Sequence, residues 1–412
     1  MSAILIRNGN VLDPRAGTLR RGHDVLVEDS VISKIDPGLV APTARIIDAG
    51  GRTVMPGLID CHVHVTASHL RYGLSPNRHL PASLVTLHAA RSLKAMLMRG
   101  FTTVRDAGGA DLGLKLALEA GLIEGPRLFI SGRAISQTGG HGDFRERIDQ
   151  CEPCACSHLF NGIGRVADGL AAVQHAARDE IRMGADQIKV MASGGVASAA
   201  DPVHFLQYSV DELSALVDEA ARADTYVMAH AYTDDAVRRC LAAGVRSIEH
   251  ANFVSEETVA MIGAAGAYLV PTFISLVQRV ESAAEHGLAP GIVANLQRTI
   301  ARGRQVYAWA HRHGVPIGLG TDLWGPEAQL AQLREFEMRR DLDTPAAILR
   351  SATVTNAALM MQAGKLGTLA AGACADLLVV DGDPLSDIGV LLDPQRHLKL
   401  IMKDGQLYKN EL

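Results

Sequence analysis

No stretch of the 412 residues is apolar for long enough to span a bilayer. The N-terminus, Met1-Ser2-Ala3-Ile4-Leu5-Ile6-Arg7, lacks a basic region followed by an apolar core and a cleavage site, so a cytoplasmic location is expected. Aromatic residues are scarce at 4% while glycines number 40, a balance that fits a helix-rich α/β protein with many tight turns. Neither sign of charge dominates. The 40 Lys and Arg against 45 Asp and Glu leave a net charge of −5, which gives no nucleic acid or anionic membrane a reason to bind. Six cysteines in so long a chain do not form the framework of a secreted disulfide scaffold, and reduced thiols are the expectation. The length suffices for one large domain with a smaller one beside it.

What is present is a change of pattern along the chain. Residues Ala3 to Leu12, His23 to Glu28, Val31 to Ile35 and Ala44 to Asp48 read as short Val/Ile-rich strands. The last fifty residues return to that style in Ala375 to Asp381, Leu398 to Lys403 and Gln406 to Tyr408. A discontinuous β-sandwich built from both termini, residues 1–55 and 364–412, is expected. Between them, apolar strands alternate with helical segments: Val54 to Val65, Phe101 to Asp106, Arg127 to Ser131, Gln187 to Ala192, Tyr226 to Ala231, Ser247 to Ala251, Ala267 to Phe273 and Pro316 to Asp322. Val210 to Ala223 and Asp234 to Ala243 are typical of the helices between them. Eight alternations argue for an α/β fold of the (β/α)8 TIM-barrel type over 56–363, with its active site at the C-terminal ends of the strands. A last helix, Thr344 to Ala358, is expected to pack the barrel on the β module. The segment 133–167 is far longer than an ordinary βα loop and is expected to be a lid over the active face.

The chemistry begins at His62-Val63-His64. Two His at i and i+2 on a strand face the same way, roughly 7 Å apart along the backbone, which suits two ligands of one ion. Strand four carries Lys189 in Ile188-Lys189-Val190-Met191, strand five ends in His230, strand six in His250 and strand eight in Asp322. Each alone has an ordinary structural explanation, such as a core His bonded to a carbonyl or an Asp capping a helix. Together they place four His, one Lys and one Asp at the catalytic end of one barrel. An ammonium is costly to bury in an apolar strand. Carboxylation by carbon dioxide would turn Lys189 into an anionic carbamate able to bridge two cations, and Asp322 can serve as metal ligand and proton acceptor.

These residues, with the split β module and the Ala375-Asp376-Leu377 strand, resemble the amidohydrolase superfamily over nearly the whole chain. The resemblance implies the binuclear subtype, with His62, His64, carboxylated Lys189, His230, His250 and Asp322 holding two divalent ions, zinc by preference, and Asp322 and Lys189 acting in catalysis. Gly139-Gly140-His141-Gly142-Asp143, Ile188 to Val196, Ala229-His230-Ala231-Tyr232 and Ile248-Glu249-His250 further resemble the imidodipeptidase (prolidase) and Xaa-Arg/Lys carboxypeptidase branch, to which ochratoxin-hydrolysing enzymes are similar. The branch implies hydrolysis of the amide bond to a C-terminal amino acid in a small dipeptide or N-acyl substrate. His141, Tyr232 and Arg145 are the candidate holders of the substrate's free carboxylate. Homo-oligomers are common in such families, and one is expected here.

The competing readings are a cyclic amide hydrolase of the imidazolonepropionase kind, a heterocycle deaminase, or a catalytically silent scaffold. Superfamily deaminases carry a His-x-x-Glu element near strand five, whereas His230 is followed by Ala231, Tyr232 and Thr233. A silent relative usually loses ligands, and all six positions are filled. Cys151, Cys154, Cys156 and His158 have zinc-ligand chemistry, but such sites usually join two separated pairs, so a lid with reduced thiols is the expectation. Phe144, Leu159, Phe160, Phe273 and Trp324 lean the leaving residue towards Pro or an apolar or aromatic side chain.

Overall fold

The computed structural model describes residues 3–67, 80–145, 163–196, 198 and 201–412. The terminal strands, β1 (Ala3–Asp13), β2 (Thr18–Glu28), β3 (Val31–Asp36), β4 (Arg45–Asp48) and β5 (Thr53–Pro56), join three more from the far end of the chain. These are β15 (Leu377–Val380), β16 (Leu398–Lys403) and β17 (Gln406–Asn410). Together they form one eight-stranded sheet in the order β17-β16-β15-β5-β1-β2-β3, with β4 beside β1. Period-two alternation divides each strand between two apolar clusters. Val54, Leu377, Val379 and Leu400 pack with Ile6, Val25 and Ile32. Met55, Leu378, Val380 and Ile401 face the other way and pack with barrel residues Leu93, Phe101 and Leu349. The sheet curls over the first cluster, since Ile32 donates to the carbonyl of Ala373 and accepts from Gly372. The terminal strands thus form a sandwich-like module with one face docked on the barrel.

The barrel strands are β6 (Leu58–Val63), β7 (Phe101–Asp106), β8 (Arg127–Phe129), β11 (Ile188–Met191), β12 (Val227–Thr233), β13 (Ser247–Phe253) and β14 (Tyr268–Val270). The residues 316–322 supply the eighth. They form no regular ladder, yet Leu269 N donates to Pro316 O and Gly318 N to Leu269 O on one side. On the other, Cys61 N donates to Leu319 O, and the amides of Thr321 and Asp322 donate to His62 O. The buried amide of Asn356 clamps this seam, donating to Ile59 O and Leu319 O and accepting from Leu319 N.

Three expectations are corrected. The stretch Val54 to Val65 is two strands: β5 belongs to the terminal sheet and β6 to the barrel, with the break at Gly57. The third strand does not stop at Ser131, because β9 (Ala134–Ser136) continues it and pairs with β11 at Val190. The segment 133–167 is therefore not wholly loop: it opens with β9 and closes with β10 (Gly164–Val166), the two in parallel register. Its residues 146–162, with Cys151, Cys154, Cys156, His158, Leu159 and Phe160, lie outside the described residues.

Helix placement follows local chemistry. Val210–Arg222 starts at a capping box, the Ser209 hydroxyl accepting from the amide of Glu212 while the Glu212 carboxylate accepts from Ser209 N, and buries Leu213, Leu216 and Ala220 at helical spacing. The last barrel helix runs from Pro345 with a π turn at Ser351–Thr355 and ends at Leu359. Arg350 of that stretch donates to the carbonyls of Pro14 and Arg15, which ties it to the terminal sheet.

Gly57 is required at the break between sheet and barrel. A Cβ there would lie 2.0 Å from Thr102 Oγ1 and 2.7 Å from Thr102 Cβ. Gly57→Ala is expected to destabilise the fold by about 1–3 kcal/mol, the ordinary cost of overpacking. Denaturant unfolding of the two proteins measures it.

Candidate metal centre

Alternation along the strands decides which side chains enter the barrel. On β6, Cys61 and Val63 lie in outer clusters while Asp60, His62 and, one residue past the strand, His64 face inward. On β11, Ile188 and Val190 pack outward under the helices and Lys189 faces inward. On β12, Ala229 and Ala231 pack outward, leaving His230 and Tyr232 to the interior. On β13, Ile248 packs outward and Glu249 inward, so His250 should turn out. It does not, because its φ of 72° and that of Ala251, 53°, are left-handed, and the turn re-aims the His250 ring into the site. Asp322 also has a positive φ, 51°. Non-glycine residues held there cost about 1–3 kcal/mol each, and such strain collects at functional sites.

The result is a ring of imidazoles. His62 lies 5.4 Å from His64 and 5.1 Å from His250, centroid to centroid, and His230 lies 4.7 Å from His250. Asp322 Oδ1 is 3.5 Å from His62 Nε2 and 3.4 Å from His64 Nε2. The ligand atoms of His62, His64 and Asp322 all lie within 4.8 Å of one another, a grouping able to hold a metal ion. Lys189 is 1% exposed and, among the described residues, makes no hydrogen bond or ion pair.

Each imidazole is fixed by its other nitrogen. His62 Nδ1 meets Glu249 Oε2 at 2.7 Å, His64 Nδ1 the carbonyl of Gly108 at 2.9 Å, and His250 Nδ1 the hydroxyl of Thr272 at 2.8 Å, so these three turn Nε2 inward. His230 is the reverse, with Nε2 on Gly194 O at 3.3 Å and Nδ1 free for the site. Such outer partners fix tautomer and orientation in metal sites.

The electrostatics agree with a site built for cations. Burial pushes His62 down to about 4, with the Lys189 ammonium adding to the shift. Burial likewise holds His230 and His250 well below the usual imidazole range. The rings are neutral at pH 7 and offer lone pairs. Burial alone would raise Asp322, but the surrounding imidazoles of His62, His64 and His250 outweigh it and keep the carboxyl well below its usual range. Burial lowers Lys189 to about 8 against the pull of Glu249 and Asp322, so a fraction of the amine is neutral at pH 7 and nucleophilic.

Of the three candidate substrate holders, two join the cluster. The ring of His141 stacks on His230 at 4.3 Å, with Nδ1 2.8 Å from Asp201 Oδ2. Tyr232 stacks on His250 at 5.0 Å and 9°, and burial raises its phenol. Arg145 instead forks onto Asp143 two residues away, Nε to Oδ1 at 2.8 Å and Nη2 to Oδ2 at 2.7 Å. Trp324 stands at the mouth, its ring 4.6 Å from His64 and its Nε1 donating to Asp322 Oδ1 at 2.9 Å. Phe273 is not at the mouth: it is buried and packs on Tyr307 of the 290–312 helix, 6.1 Å away.

The sequence reading passed over Asp60, Arg105 and Glu249. All three are fully buried inside the barrel below the ring. Period two in Ser247-Ile248-Glu249 and in Asp60-Cys61-His62 is the signal for Glu249 and Asp60, and Arg105 carries none.

The amidohydrolase family matches residues 53–408. Ochratoxinase of Aspergillus niger is 32% identical over 425 aligned positions, covering 98% of this chain and 87% of the relative. A crystal structure of a prolidase complexed with N-methylphosphonate-L-proline superposes with a TM-score of 0.95 at 46% identity, covering 99% of this chain and all of that one. A Xaa-Pro dipeptidase with methionine in its active site superposes at 0.88 with 29% identity, covering 99% of this chain and 100% of that one.

Thr272→Val removes the acceptor for His250 Nδ1–H while keeping the volume. It is expected to weaken zinc binding by about 10-fold or more with the fold intact. Zinc competition against a chromophoric chelator measures this.

Proposed function

The chain belongs to the amidohydrolase family and is a hydrolase of amide and peptide bonds, and on that footing we propose that it releases the C-terminal amino acid of dipeptides or N-acyl amino acids, with Pro or an apolar or aromatic residue preferred. The observation that carries this reading is the convergence of six side chains from five strands, His62, His64, Lys189, His230, His250 and Asp322, on one buried volume.

The donor set fits two divalent ions of the zinc type. His62, His64 and Asp322 would hold one, and His230 and His250 the other. Lys189 would join them as a carbamate: its neutral Nζ would add to carbon dioxide and lose a proton, turning a buried amine with no hydrogen-bond partner among the described residues into a two-oxygen anionic ligand. When bound, such ions polarise the scissile carbonyl and lower the pKa of water to about 7.

The remaining work falls to the chain. Asp322, held in one rotamer by Trp324 Nε1–H, is placed to accept the proton of the attacking water. It then returns that proton to the departing nitrogen, so that an amine and a carboxylic acid leave. Tyr232 and His141 flank the imidazole ring on the side of β12 and present a phenol and an imidazole to the substrate's free carboxylate. Asp201 and Gln207 fix His141, accepting at Nδ1 and at its backbone amide. The preference for Pro is supported by the proline phosphonate complex of the 46% identical prolidase, and ochratoxin-like amides as further substrates by the ochratoxinase relative.

Zinc-loaded enzyme, offered dipeptides and N-acyl amino acids varied at the C-terminal residue, is expected to release Pro or apolar residues and to stop when chelated. No release across the set, with metal still bound, would overturn the dipeptidase reading and point to cyclic amides.

A further inference from the structure

Below the imidazole ring lies a charged pair that no substrate can reach. Arg105 and Glu249 are both 0% exposed. Arg105 Nη2 donates to Glu249 Oε1 at 3.0 Å, its Nε donates to Cys61 O at 2.6 Å, and its Nη1 lies 3.3 Å from Tyr226 Oη and Ser247 Oγ. Ser247 Oγ donates to the same Oε1 at 2.5 Å. The other carboxylate oxygen, Oε2, is given to His62 Nδ1. Of the four ring histidines, His62 alone meets a carboxylate at the nitrogen turned away from the site. His64 and His230 lean on carbonyls and His250 on a hydroxyl.

Buried charges are expensive and are kept when they hold something in place. Three polar groups are arranged so that Glu249 receives donors at both oxygens: Arg105 and Ser247 at Oε1, His62 at Oε2. A carboxylate satisfies that demand, having acceptors on both sides and no donor. An amide cannot. With its oxygen towards Arg105, its NH2 faces His62, whose Nδ1 must then accept and whose proton moves to Nε2, the atom needed for a metal. With its oxygen towards His62, its NH2 faces the Arg105 guanidinium.

We infer that Arg105 and Glu249 are a positioning pair which commits His62 to the Nδ1–H tautomer, with its Nε2 lone pair aimed at the metal centre. This rests on the reading of His62 as a ligand given above. Arg105 acts through Glu249 and also pins β7 to β6 at Cys61 O, so the pair fixes the imidazole and the strand that carries it together.

The test uses the full chain with zinc and no substrate. In metal-free protein labelled with 15N-histidine, His62 is expected to carry its proton on Nδ1. Glu249→Gln is expected to weaken zinc binding at the position His62 would hold by about 10–100-fold and to shift the His62 signals towards the Nε2–H form. Glu249→Asp is expected to recover part of that loss. Because a lone buried guanidinium can prevent folding, Glu249→Leu/Arg105→Met, which removes both charges and leaves His62 Nδ1 no acceptor, is measured beside it. A folded double variant with weakened zinc supports the pair's role. Wild-type zinc affinity and an unchanged His62 tautomer in that variant would overturn it. Should neither variant fold, an Nε2–H tautomer in the metal-free wild type would overturn it as well. Zinc loss in the variants of a wild-type chain that cleaves no dipeptide leaves this inference standing and removes the peptidase reading, while unchanged zinc affinity beside active cleavage does the reverse.

Discussion

The centre depends on one seam. The residues 316–322 are not a laddered strand, yet they close the barrel because two consecutive amides, Thr321 and Asp322, donate to the single carbonyl of His62. Beneath them Asp60 accepts from the Thr321 hydroxyl at 2.6 Å, from its amide and from His62 N. Burial drives Asp60 up to about 6, and these donors hold it lower than burial alone would. The consequence is that a candidate metal-ligand pair on the first barrel strand, His62 and His64, and a carboxylate on the last, Asp322, meet at 3.4–3.5 Å. Asn356 adds a second clamp from the last helix across the same two strands.

The rest of the site follows from burial. Desolvation favours neutral His62, His230 and His250 and weakens the hold of Lys189 on its proton, the same physical effect producing lone pairs on three rings and a nucleophilic amine among them. Hydrogen bonds then choose which nitrogen faces inward. Three rings present Nε2 and one Nδ1, and that mixture comes from the strand positions: His230 sits level enough with Gly194 to give it Nε2, whereas the other three find acceptors behind Nδ1.

Much of this was legible in the residue order. Period two placed His62, His64, Lys189 and His230 on interior faces, and the alternation of strands and helices gave the barrel and the split terminal sheet. Three features escaped for physical reasons. Alternation puts Glu249 inside and His250 outside, and only a left-handed backbone at His250 brings both in. No propensity announces positive φ at a histidine. The break at Gly57 was hidden because an apolar run reads alike whether it serves one sheet or two. Arg105, in Val104-Arg105-Asp106, looks like a strand end near solvent, and its burial becomes visible only when Glu249, 144 residues away in sequence, lies opposite.

The proposed role of buried Lys189 is to unite two metal positions. Zinc bound per folded chain, measured by plasma emission after exhaustive dialysis, tests it most directly in the wild type and in Lys189→Met. Two ions are expected in the wild type and one or none in the variant. Two ions retained by Lys189→Met, with its fold unchanged by circular dichroism, would contradict it.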